Sequence, residues 1–93
     1  MKFTESDRAY LREHHHEPDE AIRQIEAAVS KTVYSLAIKG ESTKISRKKA
    51  IEILGREKWL SGMDRSAFHR SATYTTNDGK TVYFDSRRFF REN

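Results

Sequence analysis

The clearest repeat of apolar positions lies between Pro18 and Gly40. Apolar side chains recur there every three or four residues, which places them on one face of a helix; they are Ile22, Ile25, Val29, Val33 and Leu36. Pro18 suits the first helical position, because its missing N–H would have no partner there. Gly40 suits the end, because glycine adopts the left-handed conformation at no steric cost. The pattern predicts a helix over residues 18–39.

Shorter helical patterns lie on either side of this segment. Thr4 and Asp7 in "TESD" form a capping arrangement that predicts a helix over residues 5–15 with little apolar content. The segment "ESTKIS" is long enough only for a turn and an extended link. Ser46 then caps a helix over "RKKAIEILG", which Gly55 ends.

The following stretch predicts two separate helical pieces. "REKWLSGM" makes one turn with its apolar side chains directed inward. Asp64 caps a second helix over residues 65–72, and Phe68 anchors that helix in the core. The opposite, solvent-facing side of this helix then carries Arg65, Ser66, His69 and Arg70.

The C-terminal region has the pattern of a β-hairpin. "TYTT" and "TVYF" are β-branched and aromatic, and "NDGK" between them is a turn signal with Gly79 at the position that needs a positive φ. Asp85 caps a last short helix in "SRRFFREN". The expected fold class is therefore mainly α with a C-terminal two-stranded β-hairpin, which makes an α+β domain.

Length and composition indicate one domain over residues 1–93, with a helical part over 1–40 and a second part over 45–93. Only 35% of the residues are hydrophobic and 34% are charged, so the core is small. The chain has no cysteine, which excludes disulfides and thiolate metal sites. No segment approaches the ~20 apolar residues of a membrane span, and the start lacks the apolar run of a secretory signal. We expect a cytoplasmic protein that does not contact a membrane.

Charge is distributed unevenly along the chain. Residues 1–38 carry five Lys/Arg and seven Asp/Glu, a net charge of −2. Residues 39–93 carry thirteen and seven, a net charge of +6. A basic half suggests an anionic partner, with nucleic acid as the first candidate.

The order of elements after Ser46 is that of a winged helix-turn-helix, in which a second helix enters the major groove and a hairpin reaches the backbone. The basic side of the 65–72 helix has suitable chemistry, because arginine binds guanine edges or phosphates, and Ser and His hydrogen-bond at shorter range. The candidate duplex-DNA contacts are Arg65, Ser66, His69 and Arg70 in the groove, with Lys48, Lys49 and Lys80 at phosphates.

These segments also resemble a known class of protein. "ISRKKAIEILG", "RSAFHRSA" and "GKTVYFDSRRFF" are similar to the small DNA-binding domains of the excisionase and MerR-related kind, over residues 45–90. The stretch from Ser46 to Ala72 resembles small uncharacterised proteins of phages and prophages of Gram-positive bacteria. The eight residues between Gly55 and Asp64 depart from the tighter excisionase turn. The resemblance implies a winged helix-turn-helix fold and an accessory role at DNA.

Two chemical alternatives are weaker. The run His14, His15 and His16 suggests a metal site, but consecutive side chains point in different directions, so we expect no metal or other cofactor. Asp64, Ser66 and His69 have the residue types of a hydrolytic triad, yet a capping aspartate cannot also orient the imidazole. No glycine-rich phosphate loop or HExxH motif is present. We expect a protein that is not an enzyme and has no small-molecule substrate.

The main alternative function is a protein-interaction module without nucleic-acid binding. The apolar stripe of the 18–39 helix is close to heptad spacing, so it could pair with a second copy or with a host protein. A homodimer is compatible with either function. Salt-dependent binding to DNA separates the two.

Overall fold

A computed structural model describes residues 3–90 of the chain. It is an α+β fold in which five helices accompany one antiparallel sheet of four strands. The elements within this range are α1 (Glu5–Arg12), α2 (Pro18–Val29), β1 (Val33–Ile38), β2 (Glu41–Ile45), α3 (Arg47–Leu54), α4 (Arg56–His69), β3 (Ser71–Thr75), β4 (Thr81–Asp85) and α5 (Arg87–Phe90). No described helix has the length and apolar character needed to cross a membrane.

The sheet joins two hairpins that are distant in sequence. Its order is β2-β1-β4-β3, so the predicted C-terminal hairpin pairs with a second hairpin through β1 and β4. One face of the sheet carries Tyr34, Val82 and Phe84, which are buried in the core. The helices pack on this face. On β4, the alternation of side chains places Tyr83 on the opposite face, where it is exposed.

The predicted helix over 18–39 is wrong beyond Val29. The helix stops there, and the segment that holds Val33 and Leu36 forms β1. Lys39 and Gly40, with φ of 51° and 87°, make a two-residue hairpin turn of the kind that needs positive φ at both central positions. The segment "ESTKIS", predicted as a link, supplies β2. Pairing with β4 overrides the helical spacing, and that partner lies almost fifty residues away.

The predicted break at Asp64 is also wrong. Residues 56–69 form one continuous helix, α4, and Asp64 lies in its interior. Its buried side is set by Trp59, Leu60 and Met63, which leaves Phe68 on the other side with 40% of its surface exposed. Phe68 therefore does not anchor the helix in the core.

Gly62 allows α4 to lie close to the sheet. A Cβ at this position would lie less than 3.0 Å from the Cζ, Cε1 and Cε2 atoms of the Phe84 ring. Phe84 is buried in the centre of the core, so the ring has little freedom to move aside. The absence of a side chain at Gly62 thus sets the distance between α4 and β4.

Several local predictions are confirmed. Thr4 and Asp7 form a capping box at the start of α1, although the helix ends at Arg12 rather than at residue 15. Ser46 caps α3 by accepting from the backbone N–H of Lys49. Asp85 accepts from the backbone N–H of Arg87 at the start of α5, which is seen as far as Phe90; residues 91–93 of the predicted last helix lie outside the described residues. Each of these signals is local, so no distant partner is needed to form it.

A buried ion pair fixes α1 against the start of α4. Arg56 donates from Nε to Oδ1 of Asp7 at 2.9 Å and from Nη2 to Oδ2 at 2.7 Å. Asp7 is only 1% exposed. The hydrogen bonds from Arg56 hold the pKa of Asp7 below its usual value, against burial that would raise it. The same carboxylate thus caps its own helix and binds a second one.

Candidate nucleic-acid interface

Three basic residues lie along one side of α4. Lys58, Arg65 and His69 are separated by seven and four positions, which places them in one line on a helix. All three are exposed. Arg70 follows directly in the turn to β3 and is exposed as well. We refer to Lys58, Arg65, His69 and Arg70 as the basic strip.

The basic strip borders β3, which is an edge strand of the sheet. Two of its cations contact the Tyr74 ring: Lys58 Nζ is 5.7 Å and Arg65 Cζ is 5.6 Å from the ring centroid. Arg65 Nη2 also donates to the backbone oxygen of Thr73 at 3.1 Å. Cation–π contacts and a carbonyl orient these side chains without neutralising their charge. The strip is therefore held in position and remains cationic.

Arg70 ends α4 in an unusual backbone conformation. Its φ of 75° lies in the left-handed region, which non-glycine residues rarely adopt. The backbone oxygen of Arg70 accepts from the N–H of Ser86 at 2.7 Å, which continues the pairing of β3 with β4. Its guanidinium lies 5.7 Å from the centroid of the Phe90 ring. The turn thus directs the arginine side chain to the surface at the end of the strip.

Carboxylates neutralise several basic residues of the protein, but among the described residues they pair with none of the strip. Five arginines pair with a carboxylate: Arg8, Arg12, Arg23, Arg56 and Arg87. Within residues 3–90, Lys58, Arg65 and Arg70 form no such pair, and neither do Lys48 and Lys49 at the start of α3. The excess positive charge of the second half is thus left available to an anion.

Two of the predicted DNA contacts, Ser66 and Lys80, bind other side chains of the protein. Ser66 is completely buried, and its Oγ lies 2.5 Å from Ser86 Oγ, which in turn lies 2.6 Å from Thr32 Oγ1. Ser66 is therefore part of the core and has no surface with which to contact DNA. Lys80 pairs with Asp78 at 3.6 Å, on the turn between β3 and β4. A hydrogen bond from Thr76 is the main cause that lowers the pKa of Asp78.

Lys58 and Tyr74 belong to this surface but were not among the predicted contacts. Lys58 lies on the same helix as Arg65, two turns earlier, and the predicted break at Asp64 separated the two residues. Tyr74 has the alternation signal of a strand, but its role depends on α4 lying beside β3. A continuous helix would have revealed Lys58 from spacing alone, whereas no sequence signal shows that Tyr74 lies beside the basic residues of α4.

The histidine run and the hypothetical triad take other roles. His15 Nε2 lies 2.8 Å from Asp64 Oδ2, and the His15 ring packs against Phe68 with centroids 5.8 Å apart. His14 Nδ1 lies 2.7 Å from the backbone oxygen of Tyr10. In the part of the chain that is described, no three His, Asp or Glu side chains are grouped to hold a metal ion. Asp64 and Ser66 have separate partners, so no hydrolytic triad forms with His69.

The surface predicted for protein interaction is not available. Ile22, Ile25 and Val29 on α2 are at most 3% exposed, because they pack in the core of their own domain. The rest of the predicted stripe lies in β1.

Comparisons of the chain with protein families, with characterised proteins and with solved structures find no match.

Proposed function

We propose that this protein binds duplex DNA through the basic strip and acts as a small, non-enzymatic accessory regulatory protein of a phage-like kind in the cytoplasm. One observation carries the proposal: within residues 3–90 Lys58, Arg65 and Arg70 have no carboxylate partner, while the Tyr74 ring and a backbone carbonyl orient two of them, Lys58 and Arg65. Oriented arginines are the groups that bind phosphates and guanine edges.

The dimensions of α4 support a groove-binding role. Its 14 residues make a rod about 21 Å long. The major groove of B-DNA is about 12 Å wide and admits one helix. With its buried side against the sheet, α4 would present Arg65 and His69 to base edges, while Lys58 and Arg70 meet phosphates on either side. The groove contacts of this proposal exclude Ser66.

A winged helix-turn-helix arrangement is the finer form of this proposal. In it, α3 and α4 are the helix pair, joined at Gly55, and the hairpin of β3 and β4 is the wing. Lys48 and Lys49 at the first turn of α3 would then meet phosphates, as would Lys80 once Asp78 releases it. The arrangement departs from the usual form in two respects: Gly55 is the only residue between the helices, and the wing is half of a four-stranded sheet.

The test measures binding to a fluorescein-labelled random duplex of about 20 base pairs at about 50 and about 200 mM salt. In the double variant Arg65→Ala with Arg70→Ala, two phosphate-binding cations are lost. The slope of log affinity against log salt should fall by about two, and affinity at the lower salt should fall about tenfold or more.

A matched control carries Arg12→Ala with Arg23→Ala. It has the same net charge as the double variant, but both of its arginines pair with carboxylates on α1 and α2. The control should keep its affinity within about twofold of the parent, because its lost charges were already neutralised. Equal losses in both variants would show that net charge alone attracts DNA. If Arg65→Ala with Arg70→Ala leaves the affinity unchanged, the basic strip is not the DNA-binding site. This conclusion requires that both double variants have the melting temperature of the parent.

A further inference from the structure

The face of the sheet opposite the helices is open and has one aromatic ring near its centre. Tyr83 projects from β4, a central strand, and is 44% exposed. Directly across from it are Ser35 on β1 and Thr73 on β3. By the alternation of side chains, small residues surround the ring on this face; they are Ser35, Ala37, Ser42, Ser71, Thr73, Thr75 and Thr81. The ring is therefore larger than its neighbours on this face and is partly accessible to a ligand.

A cation lies in the same row of the sheet. Lys44 on β2 pairs with Ser35, which pairs with Tyr83, so Lys44 and the tyrosine are two strands apart. Two strand spacings amount to about 10 Å. Lys44 is exposed and, in the described part of the chain, forms no salt bridge. An anionic group attached to a ring stacked on Tyr83 would reach this lysine.

Two neighbouring hollows, which share Asp85 and Arg87 in their linings, lie along this face. One, of about 520 Å³, is lined by residues that include Ser35, Ser42, Ser71 and Tyr83. The other, of about 430 Å³, is lined by Val33, Asp85, Arg87 and Arg88. These residues offer hydroxyl groups and guanidinium groups beside an aromatic surface.

The charges that face this surface are mostly positive. Asp85 is its carboxylate, and Arg87 binds it from Nε at 3.0 Å and from Nη2 at 2.7 Å. Hydrogen bonds from Arg87 are the main cause that lowers the pKa of Asp85. Lys44 and Arg88 remain without a salt bridge among residues 3–90. An anionic ligand is thus favoured over a cationic one.

We infer that this open face binds single-stranded nucleic acid, with one base stacked on Tyr83 and flanking phosphates at Lys44 and Arg88. A π-face stacks on any base, and a basic groove follows the backbone, which together give binding without sequence preference. The surrounding hydroxyl groups can hydrogen-bond to sugars or base edges. The site lies on the side of the sheet away from α4, so it does not depend on the basic strip.

The area of the face argues against a second copy of the chain as its occupant. Four strands about 4.8 Å apart and five residues long cover roughly 320 Å². Stable interfaces bury about 800 Å² on each partner. A sheet-to-sheet dimer through this face would therefore be too small, whereas a few nucleotides fit the area.

The test compares a fluorescein-labelled oligo-dT of about 12 nucleotides with a labelled blunt duplex, both read by anisotropy. Tyr83→Ala should weaken oligo-dT binding about 5- to 150-fold, the range for loss of one stacked base. Tyr83→Phe keeps the ring and should stay within about threefold of the parent. Phe68→Ala is the matched control, since it removes another exposed aromatic ring from the other side of the molecule. Lys44→Ala should reduce the salt slope by about 0.7.

Several results would overturn the inference. The inference is wrong if the parent protein does not bind oligo-dT. It is also wrong if Tyr83→Ala binds oligo-dT as tightly as the parent does. Size-exclusion chromatography runs beside the titration: a parental dimer that Tyr83→Ala dissociates, with oligo-dT binding unchanged, would assign the face to a second copy. Tyr83→Ala should leave duplex binding intact, so failure here is distinguishable from failure of the duplex-DNA proposal.

Discussion

The ion pair between Asp7 and Arg56 gives the sharpest stability prediction. In Arg56→Met the aliphatic stem remains but the buried carboxylate loses two charge-assisted hydrogen bonds. Breaking a fully buried pair costs about 3–5 kcal/mol. The Arg56 side chain keeps 37% of its surface in water, so solvent screening reduces this figure. We expect the free energy of unfolding to fall by about 2 kcal/mol near neutral pH.

The pH dependence identifies the cause of this loss. Arg56 lowers the pKa of Asp7 in the folded protein, so the pair stabilises the fold at pH values above the unfolded value of 3.8. That contribution disappears as the pH falls below 3.8 toward the lowered pKa. The difference between parent and Arg56→Met should therefore be full at about pH 7 and smaller at about pH 3, where its decline has begun.

Urea unfolding followed by circular dichroism at both pH values measures this difference. Arg56 also lies 5.1 Å from the centroid of the Trp59 ring, so its packing offers a competing explanation. Arg56→Lys serves as a control, because it keeps a charge near Asp7 but loses the two-pronged geometry. A loss in Arg56→Met that is the same at both pH values would refute the ion-pair reasoning and assign the effect to contact with Trp59.

Two further predictions concern α4. Gly62→Ala should lower the free energy of unfolding by about 2 kcal/mol, because overlap with the Phe84 ring outweighs the gain in helix propensity; a variant as stable as the parent in urea would show that the ring can move. Phe68→Ala should cost at most about 1 kcal/mol, because its ring is 40% exposed and contacts the His15 ring at the surface. A loss near the 3–5 kcal/mol of a buried phenylalanine in the same assay would contradict its exposed position.

The candidate site was partly predictable from sequence. The spacing of Arg65, His69 and Arg70 on a helix requires only a local periodicity, and the structure keeps all three at the surface. Ser66 was predicted on the wrong side, because the direction of the helix was judged from Phe68 alone. Three large buried side chains on α4, Trp59, Leu60 and Met63, decide that direction together, and no single aromatic residue can outweigh them. Ser66, predicted on the solvent-facing side of the helix, is therefore buried in the core.

What the sequence determined by itself were features whose partners lie within a few residues. The cap at Thr4, the cap at Ser46 and the turn at Gly79 each depend on local hydrogen bonds or on backbone freedom. The segment from Val33 to Ile38 is different, because its residues satisfy both helical spacing and strand composition. Only tertiary pairing with β4 resolves that ambiguity, since the strand supplies the backbone partners that a helix would otherwise provide. The open face around Tyr83 also depends on this pairing, because β1 and β4 join the two hairpins into one sheet.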